Sequence, residues 1–245
     1  MTIEVSGLHA ADGQGAGGRP LGRLHGIDLS LGPGVHGVIA SLSGGAAALC
    51  GVIAGRCRPR RGTVRIGGGD PATSAATRRK IGALLIEPEL PRFGSVADAV
   101  ALAGPFDEAV LSNLGLDKLL HRQTARLTRG EARAVELALA LGRPAPLVVV
   151  LNEPFGLTGV PRSGFLERVA ELAAAGCCIV CVVQRGDDLD GMTTGEQLRL
   201  ERGRFAAPVQ LQSRVLTVLL DDDEGVATRR LARAISERSR EGITS

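Results

Sequence analysis

Gly37-Val-Ile-Ala-Ser-Leu-Ser-Gly-Gly-Ala-Ala-Ala-Leu-Cys-Gly-Val-Ile-Ala-Gly55 joins an apolar strand pattern to a glycine pair and then, at once, to an Ala/Leu/Ile-rich helix pattern. Strand, loop and helix in that order are the setting of a phosphate-cradling loop, whose template is G-x-x-x-x-G-K-[ST]. Laid on residues 40–47, the template meets Ala40 for its first Gly and Gly45 for its second. Ala46 falls where the Lys belongs, and Ala47 where the Ser or Thr belongs. The frame of an anion site is present without its cation or its hydroxyl. The candidate loop residues are Ser41, Ser43, Gly44, Gly45, Ala46, Ala47 and Ala48. Glycines there permit close backbone approach, and helix N-terminal amides attract anions without any side chain.

The chain has 245 residues, enough for one generous domain with a small appendage. It is 44% hydrophobic but only 2% aromatic, with no Trp or Tyr, so Leu, Val, Ile and Ala must build the core. A formal charge of +3 is too small to argue for nucleic acid, and single-strand binding lacks aromatic platforms. No stretch approaches the apolar length of a membrane span. The start, Met1-Thr2-Ile3-Glu4, does not read as a secretory leader. Five cysteines fit a reducing cytosol better than a disulfide framework. Cys177, Cys178 and Cys181 have a spacing that suggests metal, but they lie in an apolar run that reads as a buried strand.

Strand patterns are expected at residues 2–5, 26–31, 35–39, 63–66, 81–86, 147–151, 178–183 and 197–203. A Gly-rich connector covers 11–18. Helices are expected at 46–54, across most of 95–142 with two breaks, and at 162–175. Ser95-Val-Ala-Asp98 reads as a capping-box start. Leu147-Val-Val-Val-Leu151 has the run of a parallel strand buried on both faces. The alternation predicts an α/β fold. The tail adds a strand pattern at 215–220, an acidic run at Asp221–Glu224 that reads as a solvated turn, and an arginine-rich helix near 225–240. That helix suits anionic lipid, another subunit or plain solvent.

Several motifs stand in a fixed order. Ile53-Ala-Gly55 is followed by Pro59-Arg-Arg-Gly-Thr-Val-Arg-Ile-Gly-Gly68, then by Leu127-Thr-Arg-Gly-Glu131 and its Ala/Leu-rich helix. Leu147–Leu151 ends in Asn152-Glu153-Pro154. Over residues 1–205 this series resembles the ATP-binding subunits of ABC transporters. Their phosphate loop, "P-x-x-G-x-V-x-I-G-G" run, L-S-G-G-Q signature and D-E-P strand end follow the same order. The resemblance implies a P-loop cassette with a β-rich N-terminal part, a parallel core sheet and a helical subdomain at about 95–142. Residues 206–245 are then a C-terminal extension similar to that of export cassettes.

The resemblance also assigns roles. Ser41, Ser43 and residues 44–48 correspond to the phosphate loop, and Leu127, Thr128, Arg129, Gly130 and Glu131 to the signature that faces a partner's ATP. Ile86 stands for the Q-loop glutamine and Asn152 for the metal-holding aspartate. Glu153 corresponds to the general base, and Gln184 to the switch histidine. A phosphate-binding Lys makes charge-assisted bonds of about 1.5–3 kcal/mol each, which Ala46 lacks. No aromatic precedes Phe93 to stack an adenine near Asp12. ATP and Mg2+ are implied, with weak binding and weak or lost hydrolysis, and no dedicated protein metal site is expected.

The implied partners are a transmembrane permease subunit and a second cassette, in a homodimer or heterodimer. The implied location is cytoplasmic, at the inner face of the membrane. Leu90 and Phe93, in an otherwise polar loop, are candidate docking residues. A cytosolic regulator keeping only the fold is the alternative, and an ATPase working with substitute residues is a third possibility.

Overall fold

The computed structural model describes residues 2–10, 22–41, 44–87, 89–157 and 159–206. Expectations for Ser43, the connector, the Asp12 position and the extension after 206 lie outside the described residues.

Two sheets organise the chain. Strands β1 (Ile3–Ala10), β2 (Leu24–Leu31) and β4 (Arg61–Ile66) form an antiparallel sheet in the order β2-β1-β4. The second sheet runs β5-β6-β7-β3-β8-β9, from β3 (Gly34–Ala40), β5 (Ile81–Leu84), β6 (Val148–Asn152), β7 (Cys178–Val183), β8 (Gln197–Glu201) and β9 (Arg204–Phe205). All its pairings are parallel except the β8–β9 hairpin.

The parallel strands separate two cores by the period-two alternation of their side chains. Val148, Val150, Cys178, Val180 and Val182 face the antiparallel sheet and helix α1 (Ala46–Ile53). Val149, Leu151, Ile179, Cys181 and Val183 face helices α4 (Ala109–Asn113), α5 (Arg129–Leu141) and α6 (Arg162–Ala174). This double burial makes β6 and β7 continuous apolar runs. It also separates Cys178 from Cys181, which project from opposite faces and cannot converge on a metal. Burial pushes the thiols of Cys50, Cys177 and Cys178 up to about 12.

Some boundaries differ from the sequence expectations. β1 continues to Ala10 because β2 pairs with it up to Ala10 and β4 up to His9. The strand expected at 81–86 stops at Leu84, since its partner β6 is paired only through Leu151 opposite that residue. The region 95–142 is more broken than expected. It comprises α3 (Val96–Ala103), α4, 3-10 turns at Asp117–Leu119 and Thr124–Arg126, and α5. A short helix α2 (Ala75–Arg78), capped by Ser74, has no counterpart in the sequence expectations. The capping box at Ser95 and Asp98 is formed.

Candidate functional site

The carboxyl ends of β3, β5, β6 and β7 lie along one edge of the parallel sheet, the edge at which open α/β sheets hold ligands. Register sets this: Ile39 pairs with Val183 and Asn152 with Val182, while Leu84 pairs with Leu151. The phosphate-loop, Q-loop, D-E-P and switch positions therefore meet at one edge.

Gly45 is the N-cap of α1 at φ 100°, in the region that favours glycine. A Cβ on Gly45 would lie 2.8 Å from the Arg23 carbonyl oxygen and from Leu24. Gly44 donates its N–H to the Ser41 carbonyl at 2.9 Å and accepts from Gly203 at 3.1 Å. Ala46, Ala47 and Ala48 form the first turn of α1 and are buried. The backbone amides of the first turn of α1 suit an anion. The side chains offer neither cation nor metal ligand.

Asn152 ends β6 at 2% exposure, and its Nδ2 is the buried side-chain polar atom without a partner among the described residues. An amide there presents a neutral donor and acceptor where the family has a carboxylate, a poor match to a hard divalent cation. The site fits phosphate better than metal, and no step through magnesium follows from these residues.

Glu153 adopts φ 50°, uncommon for a non-glycine residue. Burial raises its carboxyl above the ordinary range, opposed by hydrogen bonds from the side chain and backbone of Gln184. The base and switch positions are thus brought together.

The signature is occupied within its own chain. Thr128 caps α5, and its hydroxyl and the Glu131 carboxylate form a reciprocal capping box. That box holds the Glu131 carboxyl below its usual range, through the Thr128 backbone first, and Arg122 adds an ion pair. Arg129 is exposed but donates to Glu87 at 3.0 Å and to the Ile86 carbonyl at 3.2 Å. Leu127 is half-buried, and Gly130 lies in the first turn of α5.

Two residues escaped the sequence reading. Arg133 is buried, and its guanidinium donates to the carbonyls of Leu85, Ile86, Asn152 and Glu153 at 2.8, 2.8, 2.6 and 3.1 Å. Glu136, also buried, accepts the backbone N–H of Glu89. Burial pushes its carboxyl up to about 7. Their spacing of three on a helix looks like an ordinary surface ion pair.

No protein-family model matches the chain. Over 177 residues it is 32% identical to the lipoprotein-releasing system ATP-binding protein LolD of Anaeromyxobacter dehalogenans, covering 63% of this chain and 72% of that protein. LolD of Maricaulis maris is 33% identical over 151 residues, with 54% and 66% covered. The molybdate/tungstate import ATP-binding protein WtpC of Archaeoglobus fulgidus is 28% identical over 149 residues, with 57% and 62% covered. The chain thus spans between three fifths and three quarters of these relatives' lengths.

Among solved structures, the ATP-binding subunit of an ABC transporter superposes with a TM-score of 0.70 at 21% identity, covering 84% of this chain and 89% of that one. The ADP- and phosphate-bound cassette MJ0796 also gives 0.70, at 15% identity over 86% and 100%. These likenesses establish the cassette fold. With the order of motifs, that fold and the LolD relationship in agreement, the chain belongs to the family of ATP-binding subunits of ABC transporters.

Proposed function

We propose that this chain is a degenerate cassette of an ABC exporter, bound at the cytoplasmic face of the membrane to a permease subunit and paired with a second cassette. In this reading it binds ATP weakly, with little dependence on magnesium, and hydrolyses it slowly or not at all. The observation that carries the reading is the combination of a glycine-capped α1 N-terminus with buried Ala46 and Ala47 and an unpartnered Asn152 Nδ2. Glu153 and Gln184 retain one base and one donor for water. The export direction rests on the likeness of the C-terminal extension to that of export cassettes, and the lipoprotein-releasing relatives support it.

Titration calorimetry of the purified chain with ATP, with and without magnesium, tests the binding claim. We expect an affinity no better than high micromolar and nearly equal in both conditions. Low-micromolar binding that requires magnesium would sink the degenerate reading. The docked state is tested by crosslinking in the native cell. Recovery of no membrane protein would favour a cytosolic regulator that keeps only the fold.

A further inference from the structure

Helix α5 buries an acid. Glu136 is 8% exposed and sits in sequence between the buried apolar residues Val135 and Leu137. Its carboxylate accepts the backbone N–H of Glu89, on the stretch that leads from β5 to α3. Glu89 carries a carboxylate of its own, which acts on Glu136 as a like charge. The residue that Glu136 holds by its amide therefore repels it by its side chain. A proton on Glu136 removes the repulsion and still leaves an acceptor for the N–H. Ionisation restores the repulsion at a buried position, where a charge is costly.

The cations nearby are committed elsewhere. Arg56, after α1, pairs with the Glu89 carboxylate at 2.9 Å, but both side chains are about half exposed and such a pair contributes little. Arg133, one turn before Glu136, spends its guanidinium on the carbonyls of Leu85, Ile86, Asn152 and Glu153. The strands that α5 covers, β5 and β6, carry no charged side chain. Of the helices packed on α5, α4 brings no charge and α3 brings Asp98, which is taken up in its capping box. Arg168 of α6 meets α5 at the Leu141 carbonyl and pairs with Asp107 and Glu171. The Cys57 thiol is pushed up by burial and then by Glu89, so it adds no charge.

The stretch that Glu136 holds is anchored on either side. Before it, Arg129 donates to the Ile86 carbonyl and to Glu87, and Arg133 donates to Leu85 and Ile86. After it, the Thr124 hydroxyl donates to the carbonyls of Phe93 and Gly94 at 3.4 and 3.2 Å. Between the anchors, Glu89 is held by the Glu136 carboxylate and by the exposed Arg56 pair. Leu90 there is half-buried, while Arg92 is exposed.

We propose that Glu136 is a proton-operated latch: protonated, it holds Glu89 against α5, and ionised, it releases the stretch from Glu89 to Arg92 while the anchors on either side stay closed. Burial pushes the carboxyl up to about 7, which puts the change in the neutral range. The held form binds the proton more tightly than the released form, in which Glu136 meets water, so raising pH favours release. The latch is a property of the fold and stands whether or not this loop docks on a permease.

The chain has no Trp, so Leu90→Trp places a single reporter on the stretch. Its fluorescence anisotropy should fall and its emission shift to the red as pH rises from 5 to 8, with a midpoint near neutrality. The ratio of released to held forms should rise at least about tenfold over that range. Adding Glu136→Gln, whose amide oxygen still accepts the Glu89 N–H but never ionises, should keep both signals at their pH 5 values. Glu89→Gln keeps the N–H and removes the like charge, and should shrink the change. Far-UV circular dichroism should stay constant throughout. In the chain without the reporter, the Glu89 amide resonance should titrate with the same midpoint.

A signal that does not change with pH in either the reporter chain or the Glu89 amide would overturn the proposal. So would an equal change in the Glu136→Gln background, which would assign the proton to another group such as His121. Loss of circular dichroism in parallel with the reporter would make the event global unfolding rather than a local release, and would equally overturn it.

Discussion

The Arg133 guanidinium donates to the Asn152 carbonyl over 2.6 Å, from helix α5 to the end of strand β6. The same side chain reaches the Leu85 and Ile86 carbonyls, so one residue of α5 ties the ends of β5 and β6 together. Arg129 and Glu136, each about one turn from Arg133 on α5, bond to Ile86 and Glu87 and to Glu89 respectively. The stretch after β5 is thus held by α5.

Replacing Arg133 should therefore destabilise the fold. Arg133→Met keeps length but leaves carbonyls without their donor, at a cost of about 2–4 kcal/mol. Arg133→Lys should recover only part of this, because a compact ammonium cannot fork to several acceptors. Urea denaturation of the three proteins checks both claims, and a methionine variant as stable as wild type would refute them.

Glu136 should make stability fall with rising pH. Burial raises its carboxyl from the ordinary 4.5 to about 7, against the pull of the Glu89 N–H, Arg133 and Arg56 and with the push of the Glu89 carboxylate. Between those values the folded chain keeps a proton that the unfolded chain has released, so raising pH favours unfolding. The penalty is complete above about 7 and amounts to at most roughly 3 kcal/mol. Glu136→Gln should remove this slope and be the more stable protein at pH 8. Denaturation of both proteins at pH 5 and pH 8 measures the difference, and a wild type that gains on the variant with rising pH would reverse the sign.

Restoring the loop should recover binding before hydrolysis. Ala46→Lys with Ala47→Ser supplies the phosphate and metal ligands, while Ile86, Asn152 and Gln184 remain as they are. Affinity for ATP should rise on the order of tenfold or more, with turnover still near background. Turnover should appear only after Asn152→Asp and Gln184→His are added. Family-like rates from the loop pair alone would show that the strand-end and switch positions were misassigned.

The Phe93 side chain is 72% exposed, whereas Leu90 is half-buried. Phe93 is therefore expected to contribute more to docking on a permease. Phe93→Asp should move much of the protein from the membrane to the soluble fraction with its circular dichroism unchanged. Leu90→Asp should add to that release and also lower the melting temperature. Full membrane retention of the Phe93 variant would remove this loop from the docking surface.

The cores were legible in sequence where periodicity alone decides burial. Leu147–Leu151 and Cys178–Val183 are apolar at every position, which requires cover on both faces. The same alternation, taken one step further, puts Cys178 and Cys181 on opposite sides and removes the metal reading. Ser95 and Asp98 announced their capping box, since such bonds depend only on residues three apart. The breaks within 95–142 were less legible, because short 3-10 turns at Asp117–Leu119 and Thr124–Arg126 depend on packing rather than on propensity.

That Ala46, Ala47 and Asn152 carry no cation, no hydroxyl and no carboxylate was determined by the sequence itself, because a side chain lacking such a group lacks it in any fold. The motif order likewise named the family, since each motif is local and its neighbours follow at fixed separations. Only the tertiary structure decided what occupies those places. Arg133 meets Asn152 across 19 residues, and Leu85 across 48. Arg61 meets His9 only through the pairing of β1 with β4. Such meetings depend on strand register and on how α5 lies against the sheet, which side-chain packing sets over the whole molecule and no short stretch of sequence encodes.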